Sequence, residues 1–398
     1  MGVPTLDDLD ATDQVVATRI DVNSPLTDRT TLADDARLRA HRDTLAELAA
    51  ADARVAVLAH QGRPGGDDFA ALEPHADRLD DLLDAPVDYC DAVCSSDARR
   101  AIQGLAPGEI VVLENTRFYS EEYMEFTPER AADTYLVDRL APACDAYVND
   151  AFAAAHRSQP SLVGFPHRLP SYAGRVLEHE LAVLGDIDGT PTPRVYVLGG
   201  AKVTDSIDVA AHVLEAGLAN SVLTTGVLAN VFLAAGGVDL GPATRDYLAA
   251  NVDAEDRETA ADLLDRFGGS IELPVDVAVA REDARLELPV SALPPGPDEP
   301  IQDIGADTVA AYAAILKDAG TAILNGPAGV VEDDRFTRGT RELFDAATAA
   351  GYSIVGGGDT SAAIGRFGIE GFDHVSTGGG AALRLLSGGT LPAVEALT

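Results

Sequence analysis

The chain has 398 residues, and 65 Asp and Glu against 29 Lys and Arg give it a formal net charge of -36. Such a polyanion repels phosphate backbones and anionic lipid, which argues against nucleic-acid and membrane-surface partners. Its 46% hydrophobic residues supply the core material that a disordered acidic chain lacks. At this length a single core stops growing, so two domains are expected.

Short apolar runs alternate with longer Ala-rich amphipathic stretches. Strands are predicted at 15–22, 54–59, 109–113 and 146–148, then at 194–198, 221–225, 275–280, 322–324, 352–355 and 374–376. These runs are continuous and rich in β-branched residues, as strands buried on both faces are. Helices are predicted at 34–51, 128–141, 205–216, 307–319 and 337–350, several opening on Asp or Thr as N-caps do. The fold class is therefore α/β, with doubly wound parallel-sheet (Rossmann-like) domains. A charged amphipathic helix at 172–184 and the polar turn after it mark the junction: a first domain at 1–171, a hinge helix at 172–187 and a second domain at 188–390. The Pro-rich stretch 288–300 reads as a surface loop. The N-terminus has neither a basic flank nor an apolar run, and the three cysteines have no metal-ligand spacing, so a cytoplasmic protein is expected.

In open α/β sheets ligands bind beyond the carboxyl ends of the strands. In the first half those positions hold Asp21-Val22-Asn23, His60-Gln61-Gly62-Arg63-Pro64, Glu114-Asn115-Thr116-Arg117 and Asn149-Asp150 with His156-Arg157, while Arg37 lies early in the first helix. Guanidinium forks match carboxylates and phosphates bidentately, so an anionic ligand is indicated. The second half offers Gly199-Gly200-Ala201-Lys202, Asn325-Gly326-Pro327-Ala328-Gly329, Gly356-Gly357-Gly358-Asp359-Thr360 and Thr377-Gly378-Gly379-Gly380. Glycine lets a phosphate approach the backbone, and a following helix N-terminus presents free N–H groups, which outlines a nucleotide triphosphate cradle. Neither a Walker A motif nor a dinucleotide fingerprint is present. Lys202 and Lys317 are the only lysines. In a chain that has otherwise replaced lysine by arginine, one placed directly after a Gly-Gly turn points to a function needing a compact charge. The same lysine-poor acidity suits a protein working in concentrated salt, where self-repulsion is screened.

Together these segments, in this order and over nearly the whole length, resemble phosphoglycerate kinase, in an acidic version like that of a halophilic archaeon. The resemblance implies two domains facing each other across a hinged cleft, with a tail at about 391–398 returning to the first. It implies reversible phosphoryl transfer between 1,3-bisphosphoglycerate and MgADP, giving 3-phosphoglycerate and MgATP, by a monomer. It assigns Asp21, Asn23, Arg37, His60, Arg63, Arg117 and Arg157 to the phosphoglycerate, and makes Arg37 and Lys202 catalytic. Lys202, Asn325, Pro327, Glu332, Gly357, Gly358, Asp359 and Thr360 would hold ADP or ATP, with Asp359 as the carboxylate for the nucleotide's Mg²⁺. Many family members carry a second lysine where this chain has Ser206. Two competing readings are a different two-domain kinase acting on a carboxylate and a family member that has lost turnover and serves as a binding scaffold.

Overall fold

A computed structural model describes residues 2–28 and 30–398, apart from the side chain of Asp359. The chain forms two compact units, one comprising Met1–Ala182 and Thr390–Thr398, the other Val183–Gly389.

The first unit is built on six parallel strands, β1 (Val15–Arg19), β2 (Arg54–Leu58), β3 (Val87–Cys90), β4 (Ile110–Leu113), β5 (Ala146–Asn149) and β6 (Ser171–Ala173), in the order β3-β4-β2-β1-β5-β6. The central strands are buried along their length, and Val16, Val55, Val57, Ile110, Val112 and Val148 pack with Leu38, Leu45, Leu48, Leu72 and Leu79 from the flanking helices. Each such leucine or valine contributes about 1.5–3 kcal/mol by leaving water. The chain winds from β1 outward through β2 to β4, then returns to the other side of β1 for β5. The switch point of the sheet therefore lies between β1 and β5. The C-terminal residues complete this unit. Leu391 and Ala393 are buried, and the Ala393 amide donates to the Ala155 carbonyl at 3.1 Å.

The second unit repeats the plan with β7 (Arg194–Leu198), β8 (Ser221–Thr224), β9 (Ile271–Glu272), β13 (Thr321–Asn325), β14 (Ser353–Gly356) and β15 (His374–Val375). Their order is β15-β14-β13-β7-β8-β9, with the switch point between β7 and β13. A separate antiparallel sheet is formed by β10 (Asp276–Arg281), β11 (Ala284–Pro289) and β12 (Ile301–Ile304), in the order β11-β10-β12. The strand predicted at 275–280 thus lies outside the parallel sheet. It turns back through Glu282, at φ 51, to pair with β11 from Asp276↔Pro289 to Arg281↔Ala284. The helix expected from 172 begins at Arg175, because residues 171–173 pair with β5 as an edge strand.

His75 is fully buried on the helix Glu73–Leu82, with Nε2 3.1 Å from Gln61 Oε1. Burial holds its pKa down at about 4, from an ordinary value near 6.5. Between these values the unfolded chain binds a proton here that the folded chain excludes. This contribution to stability is complete above pH 6.5 and falls as the pH drops toward 4, by up to about 3 kcal/mol. Denaturant midpoints measured at constant high KCl are expected to decline through this window, and a His75→Asn variant is expected to show a shallower decline.

Candidate active site

In the first unit the loops at the carboxyl ends of the strands are knitted together by side-chain amides. Asn115 Nδ2 donates to the carbonyls of Gln61 and Ala70, both at 2.8 Å, while its Oδ1 accepts the Arg117 amide at 3.1 Å. Asn23 Oδ1 accepts the Gly62 amide at 2.8 Å, and Arg117 Nη1 donates to the Gly62 carbonyl at 2.6 Å. These bonds fix Asn23, the His60–Arg63 loop and Arg117 relative to one another. Arg37 is half-buried and ion-paired with buried Asp21. Burial alone would raise the Asp21 carboxyl, but the Arg37 guanidinium, with the Asn23 amide adding to it, holds the pKa below the ordinary value.

Apart from Arg37, the cationic groups here are not neutralised, although Arg117 is buried and Arg157 half-buried. Among the described residues Arg63, Arg117 and Arg157 form no salt bridge with Asp or Glu. Burial, together with the neighbouring charges of Arg157 and Arg19, lowers Arg117 to about 10. Arg157 is lowered by burial and by Arg63. A guanidinium whose pKa falls through burial first and neighbouring guanidiniums second is positive charge without a neutralising partner. His60 is buried as well, and its Nδ1 accepts from Arg19 Nη2 at 2.7 Å. Desolvation and Arg19 push it well below its ordinary value. The ring is neutral, with its proton on Nε2. Arg19 is held in turn by Ser161 Oγ at 3.0 Å, and Ser161 donates to Glu122 Oε2 at 2.7 Å. Arg19, Ser161 and Glu122 escape a reading of strand-end residues because Arg19 lies inside β1 and the other two lie on distant segments.

In the second unit a cavity of about 670 Å³ is lined by Gly200, Gly226, Val227, Tyr247, Val277, Pro327, Val331 and Glu332 among others, a size suited to a small organic ligand. A smaller recess shares Gly200, Ala201 and Pro327 with it and adds Lys202, Ser206, Asn325, Gly357, Gly358, Thr360 and Gly379. The recess meets the N-terminal ends of three helices, Val203–Glu215, Gly358–Phe367 and Gly379–Leu386, where unpaired amides and the helix dipole favour anions. Two glycines are obligatory. Gly326 has φ +84 and an added Cβ would lie 2.4 Å from the Gly199 carbonyl oxygen; a Cβ on Gly199 would lie 2.2 Å from Thr225 Oγ1. Thr360 Oγ1 accepts the Gly326 amide at 2.8 Å, which locks one glycine turn to the next helix. Ser206 is buried and donates to the Gly199 carbonyl at 3.2 Å, so it braces the turn that carries Lys202. Asp21, Asn23, His60, Arg63, Arg117 and Arg157 follow strands of the first unit, while Arg37 lies on the helix Ala36–Ala40; Lys202, Asn325, Pro327, Gly357, Gly358 and Thr360 line the recess of the second unit and Glu332 the larger cavity, and the Asp359 side chain is outside the described residues.

The phosphoglycerate kinase family model matches residues 6–389. The chain belongs to that family. It is 67% identical over 397 residues to the phosphoglycerate kinase of Halobacterium salinarum and 64% identical over 400 residues to that of Natronomonas pharaonis, each alignment covering at least 99% of both chains. The crystal structure of phosphoglycerate kinase from Pyrococcus horikoshii OT3 superposes with a TM-score of 0.92 at 39% identity, covering 99% of this chain and 98% of that one. Family membership makes the chain an enzyme of the kinase class.

Gly326→Ala is expected to destabilise the fold by about 1–3 kcal/mol through the left-handed backbone alone. Because the clash falls on a turn lining the recess, the variant should also bind ADP more weakly if the recess takes the nucleotide. Unfolding midpoints and calorimetric titration with ADP check both effects.

Proposed function

We propose that the arginine-rich end of the first unit holds the phosphoglycerate and that the glycine cradle of the second holds the nucleotide for the family's reaction, reversible phosphoryl transfer between 1,3-bisphosphoglycerate and ADP. The observation that carries this reading is the pairing of an unneutralised guanidinium cluster in one unit with convergent helix N-termini in the other. Asp21, Asn23, His60, Arg63, Arg117 and Arg157 bind the phosphoglycerate, with Arg37 at its carboxyl end. The larger cavity takes the nucleoside, with Glu332 at the ribose, and the recess takes its phosphates.

In the forward direction a β-phosphate oxygen of ADP attacks the acyl phosphorus while the bond from phosphorus to the C1 oxygen breaks, and the electron pair leaves on the carboxylate. No proton need move, so catalysis consists of positioning and of stabilising charge spread over the three equatorial oxygens. Arg37 and Lys202 supply that charge, helped by the amides of the recess. Neutral His60 donates from Nε2 and adds no further repulsion to the arginines. Among the described residues no cluster of three or more His, Cys, Asp or Glu is arranged to hold a metal. On this reading a Mg²⁺ would arrive with the nucleotide's phosphates, with Asp359, whose side chain lies outside the described residues, as its protein carboxylate. When bound, that ion would neutralise phosphate charge.

Because the two substrates are assigned to different units, transfer requires the units to close on them, with residues 172–187 as the hinge. Closure would also keep water from the acyl phosphate. We further infer a cytoplasmic monomer, supported by the free thiols of Cys90, Cys94 and Cys144, and an enzyme adapted to concentrated salt.

Replacing Lys202 by Ala is expected to lower kcat on the order of a hundredfold, the worth of one positioned charge at the transferring group. A coupled assay of ATP formation across a KCl series checks this, and turnover close to that of the parent enzyme would remove Lys202 from its role. Solution scattering is expected to show compaction only when both substrates are bound.

A further inference from the structure

His41 lies at the junction of the helices Ala36–Ala40 and Arg42–Ala50, almost fully buried, and is not itself among the residues assigned to either substrate. Its Nε2 lies 3.0 Å from the Asp21 amide nitrogen, and its Nδ1 lies 2.7 Å from Asp150 Oδ2. An amide N–H can only donate, so Nε2 is the acceptor and carries no proton. The ring is therefore neutral, with its proton on Nδ1 and directed at Asp150.

Asp150 is itself completely buried, and its other oxygen accepts the amides of Val176 at 2.8 Å and Leu177 at 3.3 Å, in the first turn of the helix Arg175–Leu184. A Cβ at position 174 would fall 2.3 Å from Asp150 Oδ1, so only glycine permits that approach. At the other end of the line Asp21 Oδ1 accepts the Asn23 amide at 3.1 Å and Oδ2 pairs with Arg37. An unbroken series of hydrogen bonds thus runs from the opening turn of this helix through Asp150 and His41 to the residue that holds Arg37. The far end of the same helix carries the chain into the second unit.

We propose that His41 is a positioning residue that ties the start of the helix Arg175–Leu184 to the Asp21–Arg37 pair, so that the setting of that helix fixes where Arg37 stands. The imidazole does this by presenting an acceptor on one side and a donor on the other. Its tautomer is dictated by two groups that cannot exchange roles, a backbone amide and a carboxylate already bonded to helix amides. This inference rests on the assignment of Asp21 and Arg37 to the phosphoglycerate.

The test compares His41→Leu, which removes both bonds, with His41→Gln, which keeps an acceptor within reach of the Asp21 amide, each made in the parent enzyme and in an Arg37→Lys background. Folding is checked by circular dichroism in high KCl. His41→Leu is expected to lower kcat/KM for 3-phosphoglycerate at least tenfold while leaving KM for ATP within twofold. His41→Gln is expected to recover most of the loss, and in the Arg37→Lys background His41→Leu is expected to cost less than twofold. A purely structural role would instead lower activity equally in both backgrounds, or raise both KM values together, and either result overturns the proposal. Parental kinetics for a folded His41→Leu would overturn it as well. If His41→Leu does not fold, the comparison passes to His41→Asn, which keeps the donor to Asp150 but not the acceptor, against His41→Gln: kinetics better preserved in the Gln variant support the proposal, and equal kinetics overturn it. Arg37→Lys alone reports on the underlying assignment, since normal 3-phosphoglycerate kinetics in that variant would remove Arg37 from the site whatever His41 does.

Discussion

The constraint on which the site depends is the confinement of positive charge within a chain of net charge -36. Elsewhere many arginines are paired with carboxylates. Arg175 bonds Asp7, Glu47 and Glu178, and Arg285 bonds Asp303 and Glu287. At the carboxyl ends of β1, β2, β4 and β5 the acids are either withdrawn or spoken for. Asp150 faces helix amides and His41, Glu114 accepts from Leu72 and Tyr89, and Asp21 is committed to Arg37. What remains is a group of guanidiniums that repel one another, held in place because the loops beneath them are locked by Asn115, Gln61 and Asn23. In the proposed function an anion carrying both a phosphate and a carboxylate would relieve that repulsion, so that the folding of these loops and the binding of substrate would use the same electrostatic imbalance.

In the proposed function the second unit handles phosphate by another physical route. Its cationic side chain at the recess is Lys202, and the rest of the attraction comes from backbone amides exposed by glycine turns and helix starts. This division would let Ser206 stand where the family resemblance calls for a lysine. Its hydroxyl is turned to the Gly199 carbonyl and steadies the turn, leaving the charge to Lys202 and to the three helix N-termini.

Much of this was legible in the sequence because its signals are local. Continuous β-branched runs announced the central parallel strands, and the residues after those runs are the candidate site residues. The antiparallel sheet was not legible. β10 reads like any buried strand, its turn at Glu282-Asp283 lacks the glycine or asparagine of a recognisable hairpin, and the half-exposed β11 carries alternating charges. The edge strands β3, β6 and β9 are too short or too polar to stand out. His41 could not be found at all from its neighbours in sequence, since its meaning comes from Asp21, 20 residues away, and Asp150, 109 residues away. Arg19 was missed for a related reason: it lies within a strand pattern, and only the fold shows that its guanidinium fixes the tautomer of His60.

The central claim is that the first unit holds positive charge awaiting an anion, and ligand-induced stabilisation tests it most directly. Thermal unfolding in molar KCl is measured for the protein alone, with saturating 3-phosphoglycerate and with glycerate, for the parent protein and for Arg117→Gln. At a ligand concentration about a hundredfold above Kd, binding to the folded state alone contributes about 2.7 kcal/mol. The account predicts that 3-phosphoglycerate raises Tm by several degrees, that glycerate does not, and that the Arg117→Gln substitution removes most of the increase. Equal Tm with and without 3-phosphoglycerate, or an increase that survives in Arg117→Gln, would contradict it.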